Sequence, residues 1–324
     1  MPERYFPVEI STPDISAYRQ GNTGVDYITC IDSGRSGPHL MISAVVHGNE
    51  LCGAIALDWL FRQQLRPELG ALTLAFMNVA AFEQFDEHQP NESRYVDEDF
   101  NRLWSEAVLD SDRDSCELHR ARQVRPLLDT VDVLLDIHSM QQCETALTLC
   151  GPLEKGRRLA LALGSPANVV ADTGHAAGKR MRDYGAFGDA CSRKNALLVE
   201  CGQHWEKSSA DLAKDQCVRF LNQYGMLAPE FVDAHLQTRF NVAQKVVEVT
   251  GPVTIKTDGF RFTDDFIGME VIARAGTLIG FDGDEEVRTP YDDCVLIMPS
   301  LRRRKGESAV RLGRFVPAPI VDQA

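Results

Sequence analysis

The chain has 324 residues, 44% of them hydrophobic, which is enough to bury a large core and to divide into two domains, because single cores stop growing near roughly 250 residues. A formal charge of -13 repels phosphate backbones and argues against a nucleic-acid partner, and no window reaches the roughly 18 uninterrupted apolar residues of a membrane span. Nine cysteines with no Cys-x-x-Cys pair, and a start (MPERYFPVEI) without a signal-peptide apolar run, predict reduced thiols and a cytoplasmic location.

From about residue 38 to 205, short apolar runs alternate with amphipathic stretches, the pattern of strands and crossover helices in an α/β sheet. In chain order, HLMISAVV, ALTLAFMN, VDVLLDIHS, TALTLC and NALLVECG read as buried strands. Residues 50–65 carry apolar side chains at helical spacing, with Glu50 at the start and Arg62 in the last turn. Residues 80–115 form a long polar segment whose arginines and aromatics predict an ordered, substrate-facing loop, and helical periodicity resumes over Cys116 to Leu128. A further helix spans about 207–226. After it, short β-type runs punctuated by Gly, Pro and Asp predict an all-β unit. The expected division is 1–240, an α/β domain with a mixed sheet flanked by helices, and 241–324, a smaller β-rich domain. Cys52, Cys143, Cys150, Cys191 and Cys201 sit in or beside apolar runs and read as small buried hydrophobes.

The sharpest local feature is His47-Gly48-Asn49-Glu50, where a strand ends and a helix begins. Ligands bind at the carboxyl ends of strands in open α/β sheets, and an imidazole and a carboxylate three residues apart suit Zn²⁺. His138 ends another buried strand, and two histidines with one carboxylate leave a zinc ion an open position. Asp136, two residues earlier, is placed to accept a hydrogen bond from a ligand imidazole, or to pair with some other donor. Glu200 is a charged end to an apolar strand, a candidate general base for a metal-activated water, or an ordinary strand-end acid. In the long loop, Arg94 is a candidate oxyanion stabiliser, and Asn101 with Arg102 a candidate carboxylate clamp. Surface salt bridges with Asp97, Glu98 and Asp99 are the plainer reading of the same arginines.

HGNE, RYVDEDFNR, DIHS and VECG, in that order and followed by a β-rich tail ending near AVRLG, resemble the succinylglutamate desuccinylase and aspartoacylase family, a branch of the zinc carboxypeptidase-like fold. The resemblance implies one zinc per chain held by His47, Glu50 and His138, Glu200 as general base and acid, Arg94 at the oxyanion, and a substrate carboxylate on Asn101 and Arg102. It implies hydrolysis of a small anionic N-acylated substrate, with homo-oligomerisation left open. An arginine that the aspartoacylases place about ten residues before the catalytic glutamate is not in register here, Arg182 and Arg193 being the nearest, and the basic stretch Arg302 to Lys305 stands about where they carry a substrate-reaching tyrosine; Arg182, Arg193 and Arg302 to Arg304 are the residues expected to select the substrate. A carboxypeptidase acting on short peptides and a non-catalytic binding homologue remain the competing readings.

Overall fold

The computed structural model describes residues 6–142, 144–174, 177–301 and 304–317, so Cys143, Arg302 and Arg303 lie outside the described residues. In chain order the strands are β1 (Ile28–Asp32), β2 (His39–Ala44), β3 (Ala71–Phe76), β4 (Val133–Met140), β5 (Leu147–Leu149), β6 (Asn168–Ala171) and β7 (Asn195–Gln203). They are followed by β8 (Lys245–Thr254), β9 (Arg261–Phe262), β10 (Glu270–Ile272), β11 (Leu278–Asp282), β12 (Glu285–Arg288), β13 (Cys294–Ile297) and β14 (Ser308–Val316). The α-helices are α1 (Leu51–Arg62), α2 (Val79–Phe82), α3 (Glu106–Leu109), α4 (Cys116–Leu128), α5 (Glu154–Leu163), α6 (Lys207–Gln223) and α7 (Pro229–His235).

One 11-stranded mixed sheet runs β1-β3-β2-β4-β7-β5-β6-β8-β14-β13-β10, and a 3-stranded antiparallel sheet, β12-β11-β9, lies beside it. The five strands expected from the sequence are all present in the main sheet. β2 pairs in parallel with β3 and β4, β4 pairs in parallel with β7, and β5 runs antiparallel to β7. The β-rich tail is present as antiparallel strands, and its first strand, β8, pairs in parallel with β6, so the sheet continues without a break from the tail into the centre.

Alternation along the central strands sorts their side chains between two faces. Leu40, Ile42, Leu135, Ile137, Leu197 and Val199 point to the face covered by α1 and α6, packing with Leu57, Leu60, Phe220 and Leu221. Met41, Leu134 and Ala196 point the other way, onto Phe100, Trp104 and the α4 residues Leu118, Ala121 and Val124. The register aligns Leu134 with Ala196, Asp136 with Leu198 and His138 with Glu200, so the polar residues at the strand ends emerge on this second face. At the carboxyl end of β2 the chain leaves the sheet through His47–Glu50 into α1, with Glu50 as the N-cap residue, where a carboxylate is favoured by the helix dipole.

All eight described cysteines are free thiols. Cys52, Cys150 and Cys201 are buried as expected, but Cys191 is exposed, because the apolar strand begins only at Asn195 and Cys191 belongs to the turn before it. Among the described residues no helix is long and apolar enough to cross a membrane.

Gly48 lets the metal-side turn lie flat on the long loop. A Cβ there would stand 2.3 Å from the Ser93 carbonyl oxygen and 2.4 Å from the Ala81 carbonyl carbon, both backbone atoms that cannot swing away. Gly48→Ala is therefore expected to cost about 1–3 kcal/mol in denaturant unfolding, the usual range for overpacking, and to weaken metal binding as the turn is pushed outward.

Candidate metal centre and pocket

His47, Glu50 and His138 converge, with one ligand atom from each lying within 4.8 Å of the others, and all three are buried. His47 Nδ1 is 2.7 Å from Glu50 Oε1, and His138 Nδ1 is 2.8 Å from Glu50 Oε2. The far nitrogen of each ring meets another carboxylate: His138 Nε2 lies 2.9 Å from Asp136, and His47 Nε2 lies 3.0 Å from Asp99. Asp136 is oriented in turn by Ser43, whose hydroxyl donates to it at 2.7 Å from the paired position of β2.

This arrangement fits a metal ion on chemical grounds. A neutral His138 that donates Nε2–H to Asp136 presents a lone pair at Nδ1 to a carboxylate oxygen, two acceptors face to face. Only a cation or a further proton between them removes the repulsion. Without an ion the proton takes that place: burial alone would lower the His138 pKa, but Asp136 and Glu50 outweigh it and hold the ring well above its ordinary value. Conversely, burial would raise Glu50, and His47 and His138 together draw it well below the usual carboxylate range. Two imidazole nitrogens and a carboxylate oxygen, each imidazole braced by an outer carboxylate, suit zinc.

The long loop brings Arg94 to the same point, with Nη2 2.8 Å from His47 Nε2 and Nη1 3.7 Å from Glu50 Oε1. The loop is ordered by the fully buried Glu117 of α4, which accepts from the backbone N–H groups of Val96 at 2.6 Å, Asp97 at 3.0 Å and Glu98 at 3.3 Å. Asp99 is not a surface residue with spare charge: it caps the turn at Asn101, accepts from Arg94 at 3.1 Å and faces His47. Its role escaped the sequence reading, although an acid immediately before Phe-Asn-Arg is an N-cap signal.

Asn101 and Arg102 both line the cavity beside the metal group, whose volume is about 390 Å³. Asn101 Oδ1 is taken by the Met181 N–H at 2.9 Å, which leaves its amide nitrogen as the donor available to a ligand. Glu200 lies next to His138 in register and lines the same cavity. Burial, aided by the Glu50 charge and opposed by His138, pushes its carboxyl up to about 8.

Two of the arginines expected to read the substrate do something else. Arg182 points into the scaffold, donating to the Cys150 carbonyl at 3.0 Å and the Ala196 carbonyl at 2.9 Å, while Arg193 is exposed in the turn before β7. Arg304 lines the cavity. Two cavity arginines were not foreseen, Arg180 and Arg311. Arg180 grips Asp172 with both terminal nitrogens, at 2.9 and 2.8 Å, and Arg311 from β14 donates to the same carboxylate at 2.6 Å. Burial would raise Asp172, but Arg180 and Arg311 bring it down to about 2.

Two outcomes follow from these contacts. Asp136→Asn, which keeps the shape and removes the outer charge from His138, is expected to lower zinc affinity about 10–100-fold in a competition titration. In the chelated protein, Glu200 holds its proton in the folded state up to about pH 8 but releases it near the ordinary 4.5 when unfolded, so its contribution to stability is present below pH 4.5 and is lost as pH rises to 8. Glu200→Gln should flatten that decline in melting temperature against pH.

The chain matches the Succinylglutamate desuccinylase/Aspartoacylase catalytic domain over residues 36–222. No curated protein matches it by sequence. Among solved structures it resembles succinylglutamate desuccinylase from Vibrio cholerae, with a TM-score of 0.70 and 16% identity over 92% of this chain and 88% of that one. A succinylglutamate desuccinylase/aspartoacylase from Rhodobacter sphaeroides aligns with a TM-score of 0.63 and 20% identity over 90% and 89% of the two chains. Murine aminoacylase 3 aligns at 0.59 and 18% over 87% and 96%. The neighbours share the fold, and the match over residues 36–222 places this chain in the succinylglutamate desuccinylase/aspartoacylase family.

Proposed function

We propose that the protein is a zinc-dependent amidohydrolase that cleaves a small N-acyl amino acid, or a related carboxylate-bearing amide, into a carboxylic acid and a free amine. The observation that carries this reading is a buried carboxyl of elevated pKa, Glu200, aligned beside His138 of a His–Glu–His group at the floor of a cavity.

His47, Glu50 and His138 would hold one zinc per chain. When bound, zinc supplies a Lewis acid for the amide carbonyl and lowers the pKa of water toward about 7. Glu200 takes a proton from the attacking water and passes one to the departing amine nitrogen, and a carboxyl with a raised pKa suits both directions of transfer. Arg94, anchored by Asp99, faces the negative charge that develops on the carbonyl oxygen. The Asn101 amide nitrogen and the Arg102 guanidinium grip a substrate carboxylate. Asp136 and Asp99 position the two imidazoles and touch no substrate.

A cavity of about 390 Å³ suits an acylated amino acid better than a peptide of several residues. Amine release from a panel of N-acyl amino acids, before and after chelation and after zinc is restored, tests the reading. Zinc-dependent release is expected. Glu200→Gln should lower turnover by about 10²–10⁴-fold while the zinc content stays at one per chain. Undiminished turnover in that variant would sink the proton-transfer role, and activity indifferent to chelation would sink the metal.

A further inference from the structure

Arg180 and Arg311, which line the cavity, belong to a buried cluster of charges. Arg180, Arg182 and Arg311 share two carboxylates, Asp172 and Asp183: Arg180 engages both, Arg182 donates to Asp183 at 2.5 Å, and Arg311 donates to Asp172. Three guanidinium groups share two carboxylates, and of the two among them that line the cavity Arg311 has the weaker remaining contact. Its Nη2 is directed at the thioether sulfur of Met298, at 3.0 Å, a poor acceptor for a charged donor. Burial, with Arg180 nearby, lowers the Arg311 pKa, and burial together with Arg94, Arg180 and Arg311 does the same to Arg102. A carboxylate between Arg102 and Arg311 would relieve both.

The cavity also holds a misfit of the opposite sign. Glu144 lines the cavity, and its Oε2 is buried with no hydrogen-bond partner. Burial pushes its carboxyl up to about 7, opposed by the Gly268 N–H and the charge of Arg311. A Cβ on Gly268 would come within 2.3 Å of Oε2, so the tail lies against this carboxyl through a bare glycine and brings no cation to it. Glu144 and Arg311 sense one another's charge, yet no ion pair joins them. A cation with one donor spent on a thioether and an acid with an unpaired acceptor line one cavity without an ion pair between them. A donor on the ligand would satisfy that acceptor. An ammonium is donor-only and fits that need, whereas a second carboxylate is acceptor-only and does not.

We propose that Arg311 and Glu144 are the two poles of a zwitterion-reading subsite, and that the substrate is an N-monoacylated diamino acid whose carboxylate lies between Arg102 and Arg311 and whose free ammonium lies on Glu144. The inference rests on the deacylase reading above and narrows it to a substrate class. Glu144 is a specificity residue, and takes no part in bond cleavage.

The test uses the zinc-loaded full chain and the mono-N-acetyl derivatives of diaminopropionate, diaminobutyrate, ornithine and lysine, acetylated on either nitrogen. N-acetylnorvaline, which lacks the second amine, and N-acetylglutamate, which replaces it with a carboxylate, are the comparisons. The best diamino substrate should exceed both by about 10–100-fold in kcat/KM, the worth of a charged hydrogen bond. Glu144→Gln should bring its ratio to N-acetylnorvaline close to one, mainly through KM, and Arg311→Gln should raise KM for all of them. A preference for N-acetylglutamate, or equal rates across the panel, overturns the subsite and leaves the deacylase standing. If nothing in the panel is hydrolysed, calorimetry decides: ornithine binding more tightly than norvaline and glutamate in the wild type, but not in Glu144→Gln, supports the subsite, and equal or absent binding overturns it.

Discussion

The site depends on one buried carboxylate, Glu50, held between two imidazoles at 2.7 and 2.8 Å. A carboxylate in so dry a place survives only if positive charge is brought to it. The fold meets that demand from three directions: His47 in the same turn, His138 on β4, and Arg94 on the long loop. Two acids brace the three, Asp136 on His138 and Asp99 on both His47 and Arg94. The centre is thus a chain of alternating carboxylates and nitrogen bases in which each member is oriented by a neighbour, a geometry set without an ion.

Much of this was legible in the sequence, because strand ends and periodicity are local properties. The five central strands, the helix after Glu50, the helix over Cys116–Leu128 and the three ligand candidates follow from apolar runs that stop at a polar residue. That His138 and Glu200 stand side by side depends on β4 and β7 being sheet neighbours in one register, which no local pattern encodes. The arginines were harder still. Arg180 and Arg182 are two residues apart in an irregular segment, and one lines the cavity while the other is spent on backbone carbonyls. Side-chain direction there follows no helical or strand period. Arg311 lies within AVRLG, a run that read only as a β-strand, and its value appears once β14 is known to sit two strands from β6. Elements with weak signals were missed: edge strand β1, with its half-exposed ITCID, and the charged helix α5, closed by left-handed Gly164.

The long acidic loop illustrates how polar sequence becomes rigid structure. Glu117, fully buried, accepts three successive backbone N–H groups of the loop and the Asn78 amide. Four donors converge on this one carboxylate and fasten the loop to α4. Arg94 and Asp99 are delivered to the metal side by a loop fastened at its middle, and the acids in it serve the fold more than solubility: Asp97 accepts from the Cys116 N–H at 2.7 Å and Glu98 from the Ser115 hydroxyl at 2.6 Å.

The parallel pairing of β6 with β8 makes the tail part of the same lamina as the metal ligands. Modularity is lost as a result. Grafting a tail from a relative, or trimming the chain near residue 240, would strip β6 of its neighbour, bare a hydrogen-bonding edge, and remove Arg311 together with the strand that carries it. Recognition of the substrate and integrity of the sheet are therefore inherited together, and a change in what the tail reads has to be made by point substitution within a conserved register.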